Sequence, residues 1–349
     1  MHRIAVVGGC NRMITRRKFI TQTSLLASAA LLPAPLFSFA PWGEKEEDNA
    51  FEVVIIGGSY SGLSAAMALG RSLRKVLIID NGKPCNRQSP HSHNFITQDG
   101  EQPGEIAGKA KAQVLKYETV LFHQDTVTRV DKSTATFQVT TKQGKRITAQ
   151  KILFATGLKD ILPALPGFAD CWGISVLHCP YCHGYEVKGQ PTGILANGDM
   201  AFHYVQLVTN LTDRLTIYTN GIADFSAEQI RLIRYHNIRI VEQKIKALQH
   251  ENGQLKQLYA EDHSVHPVTV LYARPPVEQH SGLPATLGCN LTEQGLLILD
   301  NNQQTNIPGV YACGDNSAFR SVATAVATGS QAGAAINRTL SVEHFNLKQ

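Results

Sequence analysis

Phe51-Glu52-Val53-Val54-Ile55-Ile56-Gly57-Gly58-Ser59-Tyr60-Ser61-Gly62 is an apolar run that ends in a glycine-rich turn, and its reading decides the fold. A helix-like stretch follows from Leu63 to Leu73, then a second strand from Lys75 to Ile79 that ends in Asp80. Strand, tight turn, helix, strand and acid in that order make the pattern of a dinucleotide-binding fold. Gly57 permits the sharp turn and Gly62 lets helix and strand approach. The helix N-terminus faces a pyrophosphate, and Asp80 can accept from a ribose hydroxyl. Ser59 stands at the middle glycine of the usual pattern, as a small residue that still allows close backbone approach.

Working outward, Pro308-Gly309-Val310-Tyr311-Ala312-Cys313-Gly314-Asp315 reads as a short strand ending in a carboxylate, with a small-residue helix from Val322 to Ile336 behind it. Between the two ends, Thr119 to Thr148 reads as short alternating strands, a β-meander inserted in a parallel fold. Lys151 to Ala155 makes a further strand that ends at Thr156-Gly157.

The chemistry sits in the middle of the chain, in Leu177-His178-Cys179-Pro180-Tyr181-Cys182-His183-Gly184-Tyr185-Glu186. A Cys-x-x-Cys pair at the start of a helix lets two sulfurs reach each other. The helix dipole and a protonated His183 favour the thiolate that carries out exchange. Other chemistries use the same pattern. A zinc site needs a second ligand pair, and Cys85, Cys171, Cys289 and Cys313 are scattered singly. No metal is therefore expected. Cys-x-x-Cys-His is also the attachment signature of c-type haem, which keeps a haem electron carrier open as an alternative, and an inert disulfide is a third reading.

The paired terminal segments resemble the two FAD-binding elements of pyridine-nucleotide disulfide oxidoreductases. With Cys179 and Cys182 between them, residues 50–340 resemble the low-molecular-weight thioredoxin reductases, and the motif around the cysteines is similar to that of the gliotoxin- and holomycin-type dithiol oxidases. The resemblance implies an α/β protein of two Rossmann-like, three-layer ββα domains. A discontinuous FAD domain (49–165 and 272–349) would carry an inserted NAD(P)-like domain (166–271) bearing the cysteines. It also implies FAD held by Gly57, Ser59, Gly62, Asp80, Thr156, Gly157, Gly314 and Asp315, the last on a ribitol hydroxyl. Arg320, Ser321 and Val322 would face the isoalloxazine ring. Cys182 would lie nearest the flavin and Cys179 would exchange with substrate. His183 takes the place of an acidic proton donor and is the candidate acid/base. The substrate would be a small dithiol or disulfide, or a thioredoxin-like protein, and the assembly a homodimer. A conventional NAD(P)H-dependent thioredoxin-disulfide reductase is the alternative activity.

The inserted segment departs from that pattern where a nicotinamide dinucleotide would bind. Thr192-Gly193-Ile194-Leu195 is a strand, but the first glycine of the turn is Ala196, in Ala196-Asn197-Gly198-Asp199. After the second strand, Leu215 to Tyr218, Thr219-Asn220-Gly221 stands where NADPH-using relatives carry arginines for the 2′-phosphate. The fold is expected to persist while NADP(H) binds poorly. Cys85 and the run His91-Ser92-His93-Asn94-Phe95 lie where the family's chain passes over the flavin. The two histidines have no evident third ligand and read as loop residues.

Residues 1–40 hold Arg3, Arg12, Arg16, Arg17 and Lys18 and no acid, which leaves 28 basic against 28 acidic residues in the remainder. The net charge of +5 therefore gives no nucleic-acid footprint on the folded part. Thr15-Arg16-Arg17-Lys18-Phe19-Ile20 before the apolar run Leu25 to Ala40 looks like a twin-arginine export signal, with residues 1–48 as signal and linker and a periplasmic or exported destination. The run is too short and too interrupted by proline to anchor the mature chain in a bilayer. Met13 is an alternative start, and Ile4-Ala5-Val6-Val7-Gly8-Gly9 imitates a nucleotide turn with no helix behind it.

Overall fold

The computed structural model describes residues 49–347. The twin-arginine stretch and the Met1 or Met13 start lie outside them. The chain enters on β1 (Ala50–Ile56), turns into α1 (Tyr60–Arg71), and continues through β2 (Val76–Asp80), α2 (Pro103–Val114) and β3 (Val120–Gln124). These three strands are parallel, in register Val53↔Val76 and Val76↔Val120. An antiparallel meander follows, formed by β4 (Val127–Lys132), β5 (Phe137–Thr141) and β6 (Arg146–Phe154). β6 is shared between the two layers. Its first half pairs with β5, and its second half runs parallel to β1 at Ile56↔Phe154.

The meander is thus shorter than the alternation suggested. Val120 to Gln124 pairs with β2 as a parallel strand, because α2, unforeseen in the sequence, supplies the crossover that a parallel connection requires.

After β6 come β7 (Leu158–Asp160), α3 (Phe168–Cys171), β8 (Val176–Leu177) and α4 (Pro180–His183). The same strand–helix alternation then repeats in β9 (Thr192–Leu195), α5 (Gly198–Val208), β10 (Leu215–Tyr218), α6 (Ala227–Tyr235) and β11 (Arg239–Val241). Three antiparallel strands, β12 (Ile245–Glu251), β13 (Gln254–Ala260) and β14 (Val265–Pro267), lead into β15 (Val270–Ala273). The second parallel sheet has the order β11-β10-β9-β15-β8. The chain returns along β16 (Val277–Gln279), which pairs with β7, and passes α7 (Leu283–Thr286). β17 (Val310–Ala312) then lies on the free side of β6, and α8 (Val322–Asn346) follows.

Alternation along β1 explains the layering. Val53 and Ile55 are fully buried against α1 and α8, together with Leu63, Ala65, Ala332 and Ile336. Val54 and Ile56 face the meander side, against Val139, Ile147 and Phe137. Buried on both faces, Val53–Ile56 must be apolar throughout, and they are, while Glu52 at the half-buried start of the strand pairs with Arg74 at 2.8 Å. The second sheet repeats the arrangement, with Ile194 and Ile217 packed among Tyr204, Val205 and Val208 of α5 and with Leu248 and Leu258 of the antiparallel strands on its other side. Two such α/β units are what the sequence implied. Among the described residues no helix is long and apolar enough to cross a membrane.

α1 and α8 pack at backbone distance. A Cβ on Gly329 would lie 2.2 Å from the Ser61 carbonyl oxygen, and one on Gly333 2.6 Å from that of Ala65. Gly329→Ala should therefore lower stability by about 1–3 kcal/mol, the range for overpacking a well-filled core. Gly108→Ala in α2, where a Cβ would meet nothing within 4 Å, should raise it by roughly 0.5–1 kcal/mol. Thermal midpoints of the two variants check both signs.

Candidate active site

Both sheets present their strand C-termini to the elements that carry chemistry. At the end of β1, Gly57 has φ +110°, and a Cβ there would meet the Ala155 carbonyl oxygen at 2.2 Å. The turn is pressed against Ala155-Thr156, just past the end of β6. A Cβ on Gly62 would lie 1.9 Å from the Gly57 carbonyl oxygen, so α1 starts hard against its own strand. Ser59, the N-cap of α1, has extended backbone and its side chain makes no capping hydrogen bond. The first-turn N–H groups of α1 are left to an incoming acceptor. Asp80 accepts from the N–H of Gly58 at 2.6 Å and of Gly82 at 2.7 Å. The two bonds pin its carboxylate at the turn while each oxygen keeps a lone pair for a ribose hydroxyl.

Across the sheet, the Thr156 hydroxyl is buried without a hydrogen-bond partner, and Gly157 takes φ +67°. Gly314, at φ +84°, donates its N–H to Thr328 Oγ1 at 3.0 Å. The Asp315 carboxylate has only long contacts, 3.8 Å to Cys85 Sγ and 3.7 Å to Arg320 Nε, and burial raises its pKa. Ser321 caps α8 through the N–H of Thr324 at 3.0 Å, which leaves the N–H groups of Val322 and Ala323 at the open end. These features fit FAD. An uncapped helix end suits the pyrophosphate, Asp80 a ribose, and the orphaned Thr156 hydroxyl and under-bonded Asp315 suit further hydroxyls or ring atoms. The Cys85 thiol opens onto the cleft yet is surrounded by protein. That enclosure, with the Asp315 carboxylate beside it, pushes its pKa up to about 11, so it stays a thiol at neutral pH.

The sequence placed Arg320 toward the flavin ring but missed its partner Asp160, which joins this half to the redox pair. Arg320 binds Asp160 with two nitrogens, at 2.7 and 3.3 Å, and Asp160 accepts from Trp172 Nε1 at 3.2 Å. Burial lowers the Arg320 pKa, but the Asp160 hydrogen bond and charge outweigh that and leave it raised. Trp172 stacks on Phe168 and has the His178 ring 5.8 Å away. His178 is driven down to about 4, first by burial and then by the Arg320 charge. No spacing signal reveals a pair 160 residues apart.

Cys179 and Cys182 form a disulfide with a Cα–Cα distance of 5.3 Å. Cys179 is the N-cap of α4 and accepts from the Cys182 N–H at 3.2 Å. Because α4 is only four residues long, the helix dipole expected to favour a thiolate is short, and this direct N–H contact is the larger local influence. Cys179 is buried and Cys182 half-buried.

His183 ends α4 with its pKa lowered by burial first and by His93 next, against an opposing pull from Glu186. His93 reaches it from the loop after β2, edge-on with ring centroids 6.2 Å apart, and His93 Nδ1 lies 3.3 Å from Glu186 Oε1. The histidine loop thus meets the redox motif. His91 instead contacts the Gly100 carbonyl at 2.8 Å. Among the described residues no group of three or more His, Cys, Asp or Glu is placed to hold a metal ion.

The corresponding turn of the second sheet is filled by its own side chain. Asn197 caps α5, its Oδ1 accepting from the N–H groups of Gly198 and Asp224 at 2.9 Å each while its Nδ2 donates to the Ile222 carbonyl at 2.8 Å. Asp199 lies in the first turn of α5 and accepts from Gln229 Nε2 at 2.8 Å. In the loop after β10, Thr219 Oγ1 donates to the Gly221 carbonyl at 2.6 Å, and no arginine stands in it.

A discontinuous α/β protein with a dinucleotide cradle beside a Cys-x-x-Cys disulfide is a flavin-dependent oxidoreductase acting on sulfur groups. The chain belongs to the pyridine nucleotide-disulphide oxidoreductase family, whose model matches residues 51–329. FAD is that family's cofactor. This assigns the cysteine pair to disulfide chemistry and sets aside the c-type haem carrier. The chain is 31% identical over 297 residues to thioredoxin reductase tcpT of Claviceps purpurea, spanning 82% of this chain and 92% of that one. It resembles the crystal structure of an oxidoreductase from Agrobacterium tumefaciens (TM-score 0.79, 35% identity, 84% of this chain and 99% of that one). The structure of HlmI is similar too, with TM-score 0.81, 30% identity, and 86% and 95% coverage.

The half-buried His178 links stability to pH. In the unfolded chain its imidazole takes a proton below the ordinary 6.5, and in the folded protein only near 4. Between those values the unfolded state binds the extra proton, so this contribution is fully present above pH 6.5 and is lost as pH falls, by up to about 1.4 kcal/mol per pH unit. Between pH 7 and pH 5 the melting temperature of His178→Gln should fall less than that of the parent protein.

Proposed function

We propose that the protein is an FAD-dependent dithiol oxidase, in which a substrate dithiol is converted to a disulfide at Cys179 and Cys182 without a nicotinamide donor. The observation that carries this reading is the self-capped turn at Asn197. Its amide already satisfies the N–H of Gly198 and ties down the 219–224 loop, where a pyrophosphate would have to sit. Asp199 adds negative charge to the same helix end. The division of the chain at 165 and 272, a homodimeric assembly, and a small dithiol or thioredoxin-like protein as substrate belong to the same reading.

In the exchange, a substrate thiolate attacks the Cys179 sulfur, the Cys179–Cys182 bond breaks, and a mixed disulfide forms while Cys182 leaves as a thiolate. The second substrate thiol then attacks the mixed disulfide. It releases the oxidised substrate and leaves both enzyme sulfurs reduced. His183, next to Cys182, takes the proton from the attacking thiol and returns it to the leaving sulfur. FAD bound in this cradle would supply a two-electron acceptor for the reduced Cys179/Cys182 pair, with dioxygen as the terminal oxidant, reduced with two protons to hydrogen peroxide. Gly57, Ser59, Gly62, Asp80, Thr156, Gly157, Gly314, Asp315, Ser321 and Val322 are the residues that would hold it. Export through the twin-arginine route agrees with this reading, since a flavin inserted in the cytoplasm crosses with the folded chain.

Under anaerobic conditions dithiothreitol should bleach the flavin and air should restore it with peroxide formed, while NADPH and NADH act slowly or not at all. Cys179→Ser and Cys182→Ser should each abolish turnover and keep the flavin, with a long-wavelength charge-transfer band only in Cys179→Ser. Bleaching by micromolar NADPH within milliseconds would instead make the protein a conventional NADPH-dependent reductase.

Exchanging both Arg16 and Arg17 for Lys should hold the precursor in the cytoplasm, because the export receptor reads guanidinium geometry as well as charge. Unchanged cell fractionation would remove the export assignment.

A further inference from the structure

We propose that His93 and Glu186 together are the positioning pair for His183, with His93 setting how readily that imidazole accepts a proton during thiol–disulfide exchange and Glu186 holding His93 in place. The inference rests on the dithiol chemistry proposed above and names two residues that this chemistry did not require.

Three observations carry it. First, His93 stands edge-on to His183 with centroids 6.2 Å apart, close enough for each ring to feel the other's charge and too far for a shared proton. Second, His93 Nδ1 faces two carboxylates, Glu186 at 3.3 Å and Asp99 at 3.8 Å, and its side chain is only 17% exposed, against 38% for Glu186 and 68% for Asp99. The row therefore runs from the half-buried His183 out to solvent. Third, the two ends come from different parts of the chain. His93 and Asp99 belong to the loop between β2 and α2, whereas His183 and Glu186 belong to the redox motif. The pair therefore exists only when that loop lies against the motif.

The charges around His183 set the direction of the effect. On its own segment stand Glu186, which favours the imidazolium, and His178, which lies farther back beside Arg320, Asp160 and Arg274. From the opposing loop comes His93, whose imidazolium opposes a second cation on His183. Removing His93 should therefore make His183 more basic, and neutralising Glu186 should make it less basic. A purely structural pair would give the same direction for both variants.

The test is the pH profile of iodoacetamide alkylation of Cys179 and Cys182 in the anaerobically reduced holoprotein, followed by mass spectrometry from pH 5 to 9. The inflection that disappears in His183→Ala is the reference. His93→Ala should move it up, and Glu186→Gln down, by about 0.5–2 pH units, the Coulomb range at this separation between bulk-water and near-surface dielectric. His93→Gln, which can still hydrogen-bond Glu186, should follow His93→Ala and guards against misfolding as the cause. No shift in either histidine variant, or shifts of His93→Ala and Glu186→Gln in the same direction, would overturn the proposal. The readout concerns only the reduced cysteines. An enzyme found to take its electrons from NADPH and pass them to a disulfide would lose the oxidase reading and keep these profiles.

Discussion

Asp160 is the point on which the arrangement of the site depends. It lies at the end of β7, just beyond the strand that the two layers of the first sheet share, and it binds Arg320 from the loop ahead of α8 and Trp172 from the start of the second unit. A carboxylate and a guanidinium taken out of water need each other. Both are part-buried, so removing one partner leaves a charge that solvent only partly compensates and should cost a fraction of the about 3–5 kcal/mol typical of a fully buried pair. The bidentate geometry makes the pair directional as well as favourable. Trp172 in turn carries His178, and His178 is the residue before Cys179. The position of the redox disulfide relative to the flavin cradle is thus fixed through one carboxylate that serves both sides.

The two parallel sheets allow a comparison within one chain. Both place a helix N-terminus at the C-terminal edge of a strand, the usual place for a phosphate. At α1 the cap residue is Ser59, whose side chain leaves the helix N–H groups alone. At α5 it is Asn197, whose amide spends its acceptor on Gly198 and Asp224 and its donor on Ile222. The backbone plan is the same, and the two turns differ in what the cap side chain does with the first-turn N–H groups.

The redox centre has no long helix to lean on. Four residues of α4 give little macrodipole, so the local environment of the disulfide is set at close range, by the Cys182 N–H on Cys179 Sγ and the burial of Cys179. Burial depresses the proton affinity of His183, and the carboxylate of Glu186 partly restores it. The lowered pKa favours the neutral imidazole over the protonated His183 expected from the sequence.

The sequence by itself determined the strand–turn–helix cradle around Gly57 and Gly62, the acids Asp80 and Asp315, the pairing of Cys179 with Cys182 and the altered turn at Ala196. Each of these is a local pattern, in which backbone sterics or short spacing restrict the residue types that fit. It also determined the two-unit α/β plan, through apolar strands spaced by helices. It misjudged the extent of the meander, because Val120 to Gln124 alternates like an antiparallel strand yet finds a parallel partner once α2 supplies the crossover. Only the tertiary structure decided the rest. Asp160 with Arg320, Thr156 left without a partner, His93 beside His183, and Asn197 folded over its own helix end join residues far apart in the chain or choose among rotamers. Neither long-range contact nor side-chain direction leaves a periodic trace in the order of amino acids.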